Sequence, residues 1–214
     1  FVPLLAGDRV VGAMGLLSDK PGAYSDSHLR ILSIVANQAA AATMNARALA
    51  RERARARQLA LVDTVARETA SILDMDALLP KVANAIQRAF GYYFVGLFLM
   101  EDRSGEIACR AATHPAELGL RRASGVGLVG AAITELRTLR IADVSAEPRY
   151  VSTPHLPATR SEAVVPLFLK DQVIGALDLQ SETTGAFSAD DEAYLEMLAQ
   201  QVAVAVGDAR LYEA

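Results

Sequence analysis

Val165-Pro166-Leu167, a short polar turn and Val173-Ile174-Gly175-Ala176-Leu177-Asp178-Leu179 open a stretch that continues through Gly185-Ala186-Phe187-Ser188 and an apolar helix to Ala209-Arg210. The chain contains this stretch twice. The earlier copy reads Val2-Pro3-Leu4, Val10-Val11-Gly12-Ala13-Met14-Gly15-Leu16, Gly22-Ala23-Tyr24-Ser25 and a helix through Ala46-Arg47. The copies align without a gap at an offset of about 163 residues, and about nineteen of the first 51 positions are identical. Self-similarity of this kind decides the architecture before any local reading does. About a hundred residues of the later unit precede its matching block, whereas the earlier block begins beside Phe1. The expectation is therefore the C-terminal part of a truncated first domain over residues 1–50. A helical linker over residues 47–73 and a complete second domain over residues 59–214 follow, and any output domain lies elsewhere.

The 214 residues carry a net charge of −4 and a single cysteine, Cys109. Such a balance gives no electrostatic reason to expect nucleic acid. One cysteine excludes an intrachain disulfide and a cysteine-rich metal site, which suits a reducing cytoplasm. No apolar run approaches the roughly 20 residues needed to cross a bilayer.

Residues 2–5 and 10–17 read as a hairpin turned at Gly7-Asp8. Ser25 reads as an N-cap. Leu29, Ile31, Leu32, Val35, Ala36, Ala39 and Ala42 then recur at helical spacing. No Gly or Pro interrupts the chain before Pro80, so one long helix, or two nearly continuous ones, is expected from Ser25 to Leu73. Its arginines 47, 51, 53, 55 and 57 read as a solvated connector, since aromatics are absent. Leu59, Val62, Ala66, Thr69 and Leu73 step by three and four, a seam suited to a partner helix in a homodimer or to the domain's own sheet.

Asp74 to Asp76 caps a helix over residues 77–90 that Gly91 ends. Strands follow over residues 92–100 and 106–113 around a turn at residues 102–105. A helix over residues 128–136, a strand over residues 139–142 and a polar loop over residues 145–158 come next. Strands over residues 161–169 and 173–180 and a helix from Ser188 to Tyr212 complete the unit. Hairpins dominate, so the expected class is α+β: an antiparallel sheet with helices packed on one side.

That order of phrases resembles the GAF domain, a relative of the PAS fold. The matching phrases are Gly125-Val126-Gly127-Leu128-Val129-Gly130, Ile141-Ala142-Asp143-Val144, Pro148-Arg149-Tyr150 and Arg160-Ser161-Glu162-Ala163-Val164-Val165-Pro166-Leu167. Val173-Ile174-Gly175-Ala176-Leu177, Ala186-Phe187-Ser188 and Ala209-Arg210-Leu211-Tyr212 extend the match. The resemblance covers residues 59–214 in full and residues 1–50 as the tail of a second copy. It implies a non-enzymatic sensor, of the sensor-kinase type, that binds a small molecule between sheet and helices. The signal would pass along a helical dimer spine to an output domain. A ligand-free dimerisation scaffold is the alternative. Family membership does not choose the ligand.

Individual motifs narrow this reading. The run Gly125 to Gly130 matches a dinucleotide-binding pattern but follows Arg121-Arg122-Ala123-Ser124 instead of an apolar strand, so it reads as the turn into a pocket-covering helix. Phe187, Asp191 and Glu192 match the back half of a motif of cyclic-nucleotide-binding relatives, but Gln180-Ser181 replaces its Asn-Lys front half. Bilin attachment implies Cys followed by His, and Arg110 follows Cys109. The free methionine sulfoxide reductases of the family imply several cysteines. His28, His114 and His155 supply no haem or metal signature. The resemblance makes Asp143, Arg149, Tyr150, Arg160, Ser161 and Glu162 the polar candidates for the pocket. Phe98, Leu128 and Ile133 are candidates for its apolar wall.

Overall fold

The structure, a computed structural model, describes residues 1–69, 74–101 and 105–213, and within the long helix beyond residue 46 it describes only some side chains. The chain divides into two compact units, Phe1–Arg57 and Gln58–Ala214.

In the first unit, strands β1 (Val2–Ala6) and β2 (Arg9–Met14) pair antiparallel around Gly7, whose φ of +59° suits glycine. Helix α1 spans Asp26–Thr69, as expected for a run rich in Ala, Arg and Leu. The Ser25 hydroxyl lies 3.1 Å from His28 Nδ1, so it meets a side chain instead of the helix amides. Val2, Leu32 and Ala36 form a small core with Leu4 and Met14 beside it. Leu29, Ile31 and Val35, part of the apolar series read at helical spacing, are exposed; the buried stripe is Leu32, Ala36 and Ala40. The arginines 47, 51, 53, 55 and 57 and the Leu59–Leu73 seam lie outside the described side chains, and the turn at residues 102–104 lies outside the described residues.

The second unit opens with α2 (Met75–Phe90). Asp74 Oδ1 accepts from the amides of Asp76 at 2.9 Å and Ala77 at 3.4 Å. Gly91 at φ +72° stops the helix, its amide donating to the Gln87 carbonyl. Then come β3 (Phe94–Met100), β4 (Glu106–Ala112), β5 (Arg121–Ala123), α3 (Gly127–Glu135), β6 (Leu139–Ile141), β7 (Ser161–Leu169), β8 (Gln172–Ser181) and α4 (Glu192–Glu213). Short 3₁₀ turns occupy Pro115–Glu117, Val144–Ala146 and Ala189–Asp191. The strands form one antiparallel sheet in the order β5-β4-β3-β8-β7-β6. The class is the α+β arrangement expected.

The helices do not all lie on one side of the sheet. Side chains alternate across a strand, so the sheet has two apolar faces to cover. Val95, Leu97, Leu99, Val165, Leu167, Leu177 and Leu179 pack with α2 and α4. Phe98, Ile107, Cys109, Val164 and Ala176 point the other way, towards Leu128, Val129, Ala132 and Ile133 of α3. Among the described residues no helix is long and apolar enough to cross a membrane.

Candidate functional site

Polar residues interrupt the second apolar face at one place. On β8 the alternation that puts Ala176 under α3 puts Asp178 and Gln180 there as well. Glu162 of β7 is the register partner of Gln180, and Phe94 of β3 is its partner on the other edge. Gly96 stands opposite Asp178. A Cβ at Gly96 would lie 2.9 Å from the rings of both Phe94 and Phe98, so its lack of a side chain lets two phenyl rings close beside the carboxylate.

The roof is α3 and the loop after β6. Gly125 and Gly127, at φ +85° and +70°, turn the chain into α3, and a Cβ at Gly130 would come within 2.7 Å of the Gly125 amide nitrogen. The glycine run is thus a tight helix entrance, preceded by β5, which pairs antiparallel with β4 and supplies none of the parallel-strand geometry of a dinucleotide site. A Cβ at Gly127 would meet Arg122 Nη1 at 3.0 Å, which places the guanidinium against the first turn of α3.

Between floor and roof lies a chamber of about 10 Å³, lined by Phe94, Phe98, Leu128, Val129, Leu156, Tyr150 and Val151 and by the polar groups of Glu117, Arg122, Thr153, Glu162, Asp178 and Gln180. That is room for about one water molecule. It shares Glu117, Arg122, Val151 and Thr153 with an outer recess of about 300 Å³ that His155, Pro154, Leu120 and Val126 help to line. The His155 ring stacks on His114, centroids 5.8 Å apart.

Hydrogen bonding is incomplete here. Gln180 Nε2 donates to Asp178 Oδ2 at 3.0 Å, and the Thr159 hydroxyl lies 2.7 Å from Gln180 Oε1. Asp178 Oδ1, Glu117 Oε1, Thr153 Oγ1 and His114 Nδ1 are buried and find no partner among the described residues. Three of the four belong to residues lining the chamber, and the fourth belongs to the imidazole stacked on its outer rim. Buried polar atoms are normally paired, with protein groups, with an enclosed water or with a bound group. Burial raises both Glu162 and Asp178 well above the usual carboxylate range. The neighbouring Asp178 charge raises Glu162 further, and the Arg122 guanidinium opposes the rise at both. Burial also pushes the Cys109 thiol up to about 12; its Sγ donates to the Ala111 carbonyl at 3.4 Å. Among the described residues no group of three His, Cys, Asp or Glu side chains is placed to hold a metal ion.

Of the residues singled out from the sequence, Phe98, Leu128, Tyr150 and Glu162 line the chamber. The others are placed elsewhere. Ile133 is buried among the core residues of α3. Asp143 is exposed and caps the 3₁₀ turn after β6, accepting from the amide and hydroxyl of Ser145. Arg149 is exposed and paired with Glu147 and Glu135, both at 2.8 Å. Arg160 is exposed, and the Ser161 hydroxyl donates to the Thr183 carbonyl at 2.7 Å. The strand alternation that brings Glu162 inward turns Ser161 to the other face, and Arg160 precedes the strand. Asp178, Gln180, Glu117 and Arg122 were missed. The available signal was a carboxylate and an amide at alternate positions of an otherwise apolar central strand, where an unpaired charge is costly.

The same fold recurs among known proteins. Residues 1–44 match a GAF domain family, and solved GAF domains share the sheet-and-helix arrangement. GAF domain-containing protein A of Dictyostelium discoideum is 29% identical over 130 residues, covering 57% of this chain and 75% of that protein. The free methionine-R-sulfoxide reductase of Escherichia coli is 32% identical over 116 residues, covering 51% of this chain and 63% of the enzyme. The free methionine-R-sulfoxide reductase of Neisseria meningitidis, solved in complex with its substrate, aligns with a TM-score of 0.65 and 30% identity, over 71% of this chain and 89% of that one. These relatives are enzymes, and they overturn the expectation, drawn from the resemblance and the cysteine count, that a chain of this kind is non-enzymatic. A GAF domain match over residues 74–206 takes in more than half of the sequence, from the cap of α2 through most of α4, and with it the protein belongs to the GAF domain family.

Proposed function

We propose that the second unit binds a small free amino acid or a similar zwitterion beneath the loop at residues 145–160. One observation carries this reading: the unpaired buried polar atoms gather around a single chamber and its rim. An ammonium group has the size and valence for the inner chamber. It donates to Asp178 Oδ1 and Glu162 while Gln180 holds Asp178 Oδ2. Arg122 stands close enough to receive a carboxylate, and the outer recess takes the side chain. The reductase relatives, whose substrate is a free amino acid derivative, make methionine-R-sulfoxide the first ligand to try.

In this reading the chain is a regulatory module. Ligand binding biases the roof of α3 and the loop, and the helices α1 and α4 relay the bias within a cytoplasmic homodimer to an output domain. A ligand can act only through unequal affinity for two arrangements. A thermal-shift panel of free amino acids and L-methionine-R-sulfoxide tests the binding. At a hundredfold excess over Kd, stabilisation is about 2.7 kcal/mol, a rise of roughly 5–10 °C. The rise is lost in Asp178→Asn. A panel without any shift contradicts the reading and leaves the ligand-free scaffold.

A second reading, favoured by the reductase relatives, is turnover of the bound sulfoxide. Turnover would require the chain's one thiol, Cys109, which is buried outside the chamber lining and raised to about 12, to become exposed and ionised; it would then attack the sulfoxide sulfur, releasing the thioether and leaving a sulfenic acid for an external thiol to reduce. Incubation with L-methionine-R-sulfoxide and dithiothreitol separates the readings. Methionine production lost in Cys109→Ser establishes turnover, and a thermal shift without methionine establishes binding alone.

A further inference from the structure

The carboxyls of Glu162 and Asp178 share the chamber of about 10 Å³ on adjacent strands. Charged and titratable groups line it from several elements: Asp178 from β8, Glu162 from β7, Glu117 from the 3₁₀ turn, Arg122 from β5 and Tyr150 from the loop, while the Cys109 thiol of β4 lies outside the lining but within reach of the Asp178 and Glu117 charges. From β3 and α3 come only Phe94, Phe98, Leu128 and Val129. Fully ionised, the acids would set three negative charges against one guanidinium, in a space too small for a hydrated counter-ion. Desolvation and like-charge repulsion both act against that state. Asp178 Oδ1 has no partner among the described residues, and Gln180 satisfies only Oδ2. One proton held between the pair lowers the charge without enlarging the chamber. The raised carboxyls of both residues accord with this.

We infer that Glu162 and Asp178 share one proton before the ligand arrives and release it to solvent as the ligand's ammonium group takes its place, so that occupation of this site is a cation-for-proton exchange. The inference rests on the ammonium reading of the pocket given above. One R–NH₃⁺ enters and one H⁺ leaves, so the chamber's charge is the same before and after. Affinity for an ammonium ligand then rises up to about tenfold per pH unit while the pair holds its proton, and levels off once the pair is ionised. A neutral isostere shows no such rise. The site thereby reads the ligand and the pH together.

Infrared difference spectroscopy of the intact chain tests this without a known ligand. At pH 7 the unliganded protein is expected to show a protonated-carboxyl C=O band that disappears in Glu162→Gln and in Asp178→Asn. Excess methylammonium chloride is expected to bleach the band, and tetramethylammonium, too large for a one-water chamber, to leave it. Circular dichroism checks that each variant folds, and the wild-type band alone suffices where one does not. No band at pH 7, or a band untouched by both folded variants, overturns the shared proton while leaving the thermal-shift result for amino acids intact. A band that responds to the variants but not to methylammonium overturns the exchange. If the amino-acid panel also gives no shift, the ammonium reading falls with it.

Discussion

The two units build the same hairpin and helix from related sequences, about nineteen of 51 positions being identical, and only one of them carries further strands and a second helix over that framework among the described residues. Val2, Leu32, Ala36 and Ala40 are buried in the first unit, as their counterparts Val165, Leu195, Ala199 and Ala203 are in the second. Around that shared seam the exposures part. Phe1 is 83% exposed and Val164 0%, Ile31 61% and Tyr194 9%, Leu16 50% and Leu179 0%. In the second unit β3 pairs along the free edge of β8, and α2 lies beside α4. The first unit has neither element among its described residues. The site diverges too: Gly15 and Leu17 stand where Asp178 and Gln180 stand, so the repeat carries the scaffold twice and the polar chamber once. A hairpin on a helix is a shared framework, and the site depends on the strands and helix added to it.

A matched glycine pair separates the two units most strongly. A Cβ at Gly175 would lie 2.1 Å from the Phe98 carbonyl oxygen across β3, whereas at Gly12 it would meet only the end of Leu4 at 3.0 Å. Gly175→Ala is expected to cost on the order of 4–5 kcal/mol or to abolish folding of the second unit, and Gly12→Ala less than about 1 kcal/mol. Urea unfolding measures both, and equal losses would mean that the β2 edge is also covered. Next in size, Leu198→Ala should cost about 2–4 kcal/mol, because Leu198 is fully buried, while Val35→Ala at the matched exposed position should stay within about 1 kcal/mol.

The third difference is electrostatic and belongs to the second unit alone. Glu162 and Asp178 are raised above their unfolded values, so the folded state holds more protons than the unfolded one between about pH 4 and the pair's folded range. Stability therefore falls as pH rises through that window, by up to about 1.4 kcal/mol per pH unit for one proton. Glu162→Gln is expected to flatten that slope and to make the protein more stable than the wild type at pH 8. An unchanged slope in thermal melts would show that the pair titrates as ordinary surface carboxylates do. Smaller again, Asp74→Ala removes the cap of α2, an element the first unit lacks, at about 1 kcal/mol. Smallest, Arg149→Ala breaks solvent-screened pairs with Glu147 and Glu135 and should leave the midpoint of a denaturant titration almost unchanged.

Periodicity and punctuation made most of the elements legible. Gly7, Asp74 and Gly91 sit at a turn, a cap and a stop, and β7 and β8 follow the β-branched runs that announced them. What local patterns do not carry is the side of the sheet on which a helix lands, so α3 was expected beside α2 and α4 and lies opposite them. The site was half visible for the same reason. Glu162 stood out within a phrase typical of the family, but Asp178 and Gln180 became partners only through the register that sets them beside it. Asp143 and Arg149 attracted notice as charged residues near a loop, and local bonds to Ser145 and Glu147 already satisfy them.

The most direct test of the ligand site is a crystal structure of the chain soaked with the amino acid that raises its melting temperature most. An amino nitrogen is expected within hydrogen-bond reach of Asp178 Oδ1 and Glu162, with the ligand carboxylate at Arg122. Density for that ligand lying wholly outside the chamber, with Asp178 Oδ1 still unpaired, would contradict that placement.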